Sequence, residues 1–137
     1  MVPAAAAQTY ARVALETGVA AASPPTLVVM LYDGALRAIA DAKSCLLAGE
    51  LGPKGRALGK AIAIVGSGLR ASLDTSRGGS IAQQLADLYE YVERRLLEAN
   101  LRNDARLLDE VTALLKDLRE AWAQLAAQGP VSRATGR

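Results

Sequence analysis

Four stretches of this chain carry apolar residues every three or four positions with polar residues between them, the period of amphipathic helices. In and around the clearest one, Leu85–Asp104 (LADLYEYVERRLLEANLRND), residues Ile81, Leu85, Leu88, Val92, Leu96 and Ala99 fall on one face, which predicts burial. Charges fall elsewhere on this helix. Glu90 precedes Arg94 by four residues and Glu98 precedes Arg102 by four, the orientation that supports an exposed helical surface. Tyr89 and Tyr91 flank the stripe; each joins an apolar body to a polar tip, which suits the edge of a core or the rim of a partner groove.

The same reading places the other helices. Ser23-Pro24-Pro25 is a start signal, with a capping serine and a proline at the first helical position, where its missing N–H costs nothing. The helix it opens runs to about Ala48. Its apolar residues, from Leu27, Val28, Met30 and Leu31 to Ile39, Cys45 and Leu47, spread too widely for a single stripe, so it is expected to touch several neighbours. Gly34 in its middle predicts a close helix approach. Residues Gly49 to Pro53 end it, and Leu58, Ile62, Val65, Leu69 and Leu73 mark the next helix, which Ser76-Arg77-Gly78-Gly79 closes. Gly66-Ser67-Gly68, inside that pattern, again predicts close packing. Ser80 with Gln83 reads as a capping box for the third helix. Asn103-Asp104 separates it from a fourth, with Asp104 favouring the start of that helix and Leu107, Val111, Leu114, Leu118, Trp122 and Leu125 on its inner face. Short links between long helices make antiparallel neighbours. The expected fold is all-α: an antiparallel up-down four-helix bundle over 23–128, a short N-terminal helical or mobile arm at 1–22, and a disordered tail at 129–137.

Composition agrees with one helical domain. The chain has 137 residues, 51% of them hydrophobic but only 4% aromatic, and no Phe. Sixteen basic against 14 acidic residues leave a formal charge of +2 without a block of like charge, which predicts no nucleic-acid surface. The alanine-rich N-terminus lacks the basic and long apolar regions of a signal peptide. Charges at Asp33, Arg37, Asp41 and Lys43 interrupt the most apolar segment, so no stable membrane insertion is expected. Cys45, the single cysteine, permits a reducing compartment and fits a packing role.

Candidate chemistry is sparse. There is no His, which removes the commonest general base and metal ligand, and with it a Glu-x-x-His di-iron site. One cysteine makes no structural zinc site, and no glycine-rich phosphate loop is present. Catalytic, cofactor and metal residues are all predicted to be none. Arg94, Arg95, Arg102 and Arg106 are interleaved with acidic residues and read as a paired, solvated face. The alternative that remains is a small all-helical enzyme of chorismate-mutase type, which binds a dianion with Arg, Lys and Glu and uses neither His nor metal. It would require charges on core faces, and the apolar stripes contain none.

The segments TYARVALETGVAAASPPTLVVMLYDGAL, LADLYEYVERRLLEANLRNDARLLDEV and LREAW resemble the flagellar secretion chaperones of the FliS family, in order and spacing, from about Tyr10 to Leu125. Met30–Gly34 (MLYDG) and Arg94–Asp104 (RRLLEANLRND) carry most of the resemblance. It implies a cytoplasmic export chaperone, not an enzyme, that binds the C-terminal segment of flagellin. Such a chaperone prevents premature polymerisation and keeps its client competent for flagellar type III export. The flagellar export apparatus is a further implied partner, and a homodimer is compatible with the sequence. The expected flagellin groove runs along the outer surfaces of the first and third helices, with Tyr10, Leu27, Met30, Leu31, Tyr89 and Leu96 as candidate contacts. The arm carrying Tyr10 and Val13 is expected to lie over part of it in the free protein.

Overall fold

In a computed structural model, which describes residues 24–73 and 75–135, four helices follow one another: α1 (Pro24–Leu47), α2 (Leu51–Ala63), α3 (Thr75–Arg102) and α4 (Ala105–Thr135). A π-helical turn at Ile64–Leu69 and a 3-10 turn at Arg70–Ser72 prolong α2. No strand occurs among the described residues. Around the bundle α1 adjoins α2 and α4, and α3 adjoins the same two, so α1 and α3 are diagonally opposed. The expected all-α four-helix bundle is thus the observed one. Residues 1–23, with the arm and Tyr10, lie outside the described residues.

Backbone chemistry fixes the helix ends. At the end of α1, Gly49 takes φ +77°, open to a residue without a side chain, while Glu50 N–H donates to the Cys45 carbonyl at 2.8 Å and Gly49 N–H to that of Leu46 at 3.1 Å. Two carbonyls that the helix leaves orphaned are thereby satisfied. Asn103 does the same for α3: with φ +53° it turns the chain so that Asp104 N–H reaches the Ala99 carbonyl at 3.2 Å. Asp104 then opens α4, its carboxylate accepting from Arg106 N–H at 2.9 Å, as its predicted role requires.

Some boundaries differ from the expected ones. α2 begins at Leu51, well ahead of Leu58, because Pro53 falls in its first turn, where an N–H has no intrahelical partner to lose. It also ends earlier, at an extended Leu73. Gly79, at φ 58° and ψ −139°, occupies backbone space essentially reserved for glycine and splits α3 just before Ser80. The Gln83 amide there donates to Asp87 at 3.1 Å, one turn ahead, instead of folding back in a capping box. α4 continues to Thr135, through Gly129 and Pro130, where a loose tail is expected; the fixed φ of proline is compatible with helix, although its ladder hydrogen bond is lost.

The core joins Val28, Leu31, Tyr32, Ala35, Ile39 and Ala42 of α1 to Leu58, Ala61, Val65 and Leu69 of the α2 segment, Tyr89, Val92, Leu96 and Ala99 of α3, and Leu107, Leu108, Val111 and Leu115 of α4. Two glycines let helices meet closely. A Cβ on Gly68 would lie 3.2 Å from Leu31 Cδ2, and one on Gly34 would lie 3.4 Å from Ile64 Cδ1. The other flank of α1 meets α4, where Asp33 accepts from Arg119 at 2.6 Å and Lys43 donates to Asp109 at 2.7 Å. Two neighbours explain its wide apolar surface.

Among the described residues Lys54 is the one buried charged residue, 4% exposed, and its ammonium donates to the Asn100 carbonyl at 2.9 Å and to Asn103 Oδ1 at 2.6 Å. It sets a cation on the C-terminus of α3, where the helix dipole is negative. Lys54→Met keeps the aliphatic stem but leaves these acceptors without their donor. We expect a loss of about 1–3 kcal/mol in urea unfolding at unchanged m-value, and an unaltered midpoint would refute the staple.

Candidate functional site

An apolar cleft of about 490 Å³ opens at one end of the bundle. It forms where helix ends converge: Pro24, Pro25 and Val28 begin α1, Leu69, Ser72 and Leu73 end the α2 segment, Ile81, Ala82, Leu85 and Tyr89 lie early in α3, and Trp122 reaches over from α4. Among the described residues no charged side chain lines it. Its one aliphatic hydroxyl, Ser72 Oγ, already donates to the Leu69 carbonyl at 2.8 Å. What the walls offer is dispersion contact and exclusion of water. Ile81, 69% exposed at the rim, shows how much apolar surface remains uncovered there.

The cleft has a polar floor beneath its apolar walls. Tyr89, on the floor, and the fully buried Tyr32 share a short hydroxyl–hydroxyl hydrogen bond, with ring centroids 6.4 Å apart and planes at 59°. Burial first, and then the neighbouring Tyr89, push the Tyr32 phenol well above its ordinary value of 10.0. A raised folded-state pKa gives stability that is complete below the unfolded pKa near 10 and is lost as pH rises beyond it, because the unfolded chain then releases a proton that the folded chain keeps. Above pH 10, stability of the unsubstituted protein should fall more steeply than that of Tyr32→Phe, by about 1.4 kcal/mol per pH unit. Parallel curves in alkaline denaturation would refute it.

The candidate contacts are distributed unevenly about this cleft. Tyr89 lines it, but with its side chain in the core, 1% exposed. Leu31 and Leu96 are core residues, Leu31 against Gly68 and Leu96 deep in the bundle. Leu27 and Met30 are half-buried, spaced to share with Gly34 the flank of α1 that meets the α2 segment. Since α1 and α3 are diagonally opposed, what they share at the surface is the cleft end. Tyr91 belongs to the α3–α4 seam: its hydroxyl donates to Glu110, and the Arg95 guanidinium lies 5.7 Å from its ring centroid. The Tyr91 and Arg95 hydrogen bonds hold the Glu110 carboxyl below its usual range. Pattern reading missed Pro24, Leu73, Ile81, Leu85 and Trp122 as cleft residues. A signal was present, in that the apolar stripes of α3 and α4 both run on to the same end of the bundle.

An all-helical bundle with an open, uncharged, aromatic-floored cleft has the architecture of a small binding scaffold. The family described as Flagellar protein FliS matches residues 6–129, and the chain belongs to that family. It is 48% identical over 126 residues to the Flagellar secretion chaperone FliS of Salmonella typhimurium, covering 92% of this chain and 93% of that protein. It is 44% identical over 113 residues to the Flagellar secretion chaperone FliSB of Pseudomonas aeruginosa, covering 82% and 89%. With the Bacillus subtilis Flagellar secretion chaperone FliS, identity is 31% over 109 residues, 80% of each chain. The family is one of chaperones in flagellar secretion and not of enzymes, which sets aside the mutase alternative. No helix among the described residues is long and apolar enough to cross a membrane.

Proposed function

We propose that this chain binds the C-terminal segment of flagellin in the cytoplasm, prevents its premature polymerisation and keeps it competent for flagellar type III export. The observation that carries this reading is the open apolar cleft, whose walls suit the apolar face of a captured amphipathic segment. Each leucine-sized side chain buried from such a cargo contributes about 1.5–3 kcal/mol before ordering costs, so a few anchors suffice. Of the candidate contacts, Tyr89 stands on the cleft floor, Leu31 and Leu96 support it from the core, and Leu27 and Met30 extend the proposed surface along α1. Tyr10 belongs to the segment just ahead of the rim prolines and is proposed to cover the cleft before cargo arrives. Delivery would bring the loaded bundle to the export apparatus.

Trp122 is the single tryptophan of the chain and lines the cleft, so its fluorescence reports occupancy directly. Titration with a flagellin C-terminal peptide should shift its emission to the blue with a micromolar or tighter midpoint, as water leaves the indole. No spectral change and no heat of binding at micromolar concentrations would sink the proposal. Heat without a spectral change would move the cargo site away from the cleft.

A further inference from the structure

A second surface lies on the other half of the bundle, along the α2–α3 seam. Two pins fix that seam. Near the start of α2, Lys54 holds the Asn100 carbonyl, and a Cβ on Gly55 would lie 3.8 Å from Asn100 Oδ1. Past its end, a Cβ on Gly66 would lie 3.1 Å from Glu93 Oε1, and Arg70 Nε donates to Glu93 Oε2 at 2.8 Å. Between the pins the two helices run antiparallel. Leu97 and Leu101 follow Glu93 at intervals of four, on the side of α3 turned to the seam, yet they are 52% and 77% exposed.

The α2 side of this surface carries charge of one sign, while on α3 the exposed Glu90 stands one turn before Arg94. Every charged residue from Leu51 to Ser72 is cationic: Lys54, Arg56, Lys60 and Arg70. Lys54 and Arg70 are engaged by the pins, while Arg56, Lys60 and, across the seam, Arg94 are exposed and make no ion pair among the described residues. Two uncovered leucines beside the exposed, unpaired Arg56 and Lys60 of α2 call for an apolar stripe bordered by carboxylates on the α2 side. The seam offers no free backbone edge for strand addition, so the matching element is a helix. A second copy of the chain would bring the same cations face to face across a two-fold axis, which disfavours self-association here.

We infer that the α2–α3 seam is a docking site, separate from the cleft, for an acidic amphipathic helix of a partner protein, with Leu97 and Leu101 as anchors and Arg56 and Arg94 as its charge clamps. The site does not depend on what the cleft binds. The probe is a synthetic helical peptide with leucines at i, i+3, i+4 and i+7 and glutamates on both borders, titrated calorimetrically into the full chain. Controls carry lysine in place of glutamate, or serine in place of leucine. The acidic peptide should bind at least about tenfold more tightly than either control. Arg56→Glu with Arg94→Glu should cost about tenfold or more, and Leu97→Ser with Leu101→Ser a similar factor. All four positions are exposed, so circular dichroism and thermal midpoints should stay unchanged, and Ile81→Ser at the cleft rim should leave this binding intact. Equal affinity for the lysine peptide, or loss on Ile81→Ser, overturns the inference. So does failure of the peptide to bind. Leucine-dependent sedimentation with phosphatidylserine vesicles, or leucine-dependent dimers, in place of peptide binding would assign the surface to a membrane or to self-association and equally overturn it.

Discussion

Ile81→Glu is expected to lower affinity for a flagellin C-terminal peptide on the order of a hundredfold while leaving the fold intact. At 69% exposure the side chain contributes little to the core, and a glutamate there stays hydrated in the free protein. Cargo burial changes that balance. An apolar segment seated in the cleft would strip water from a carboxylate for which the uncharged lining supplies no partner, and the isoleucine contact is lost as well. The two costs add to a few kcal/mol. Ile81→Ala removes the contact alone and should cost about tenfold or less. Peptide titration followed at Trp122, with thermal melts as the control for folding, separates the two variants. If Ile81→Glu binds as the unsubstituted protein does, the cleft is not where cargo sits.

Local rules carried most of the fold. The proline start of α1, the glycine that ends it, the Asn103-Asp104 turn and the four periodic stripes appear where residue chemistry puts them. Those are short-range effects, decided within one or two turns of helix. Rotational detail along α3 was less legible. The stripe reading puts Ile81 and Leu88 on the buried face and Tyr89 beside it, but the core takes Ala82, Tyr89, Val92, Leu96 and Ala99. Tyrosine is suited to either position; what decides is Tyr32, a hydroxyl partner 57 residues away. The cleft was legible only in pieces, since its walls come from three helix ends and one residue of a fourth helix. No periodicity within a single stretch announces such a convergence.

The same pair of tyrosines sets the largest expected loss of stability. Tyr89→Ala should destabilise the protein by about 3–5 kcal/mol, since a fully packed ring leaves a cavity that neighbours on four helices refill only in part. The buried Tyr32 hydroxyl also loses its Tyr89 partner, a further cost of about 1–3 kcal/mol. Against a total stability of about 5–15 kcal/mol for a natural domain, this brings the variant close to unfolding at ordinary temperature. Cargo binding by Tyr89→Ala would then be lost through folding, whether or not the ring touches cargo. Tyr89→Phe distinguishes the roles. It keeps the ring on the cleft floor and removes only the hydroxyl, so urea denaturation should show the smaller loss of about 1–3 kcal/mol while peptide affinity changes little. If Tyr89→Phe instead kept full stability and lost binding as severely as Ile81→Glu, the hydroxyl would be a cargo contact and not a floor support. The buried bond to Tyr32 argues for support: a hydroxyl held within the core is already committed before any ligand arrives.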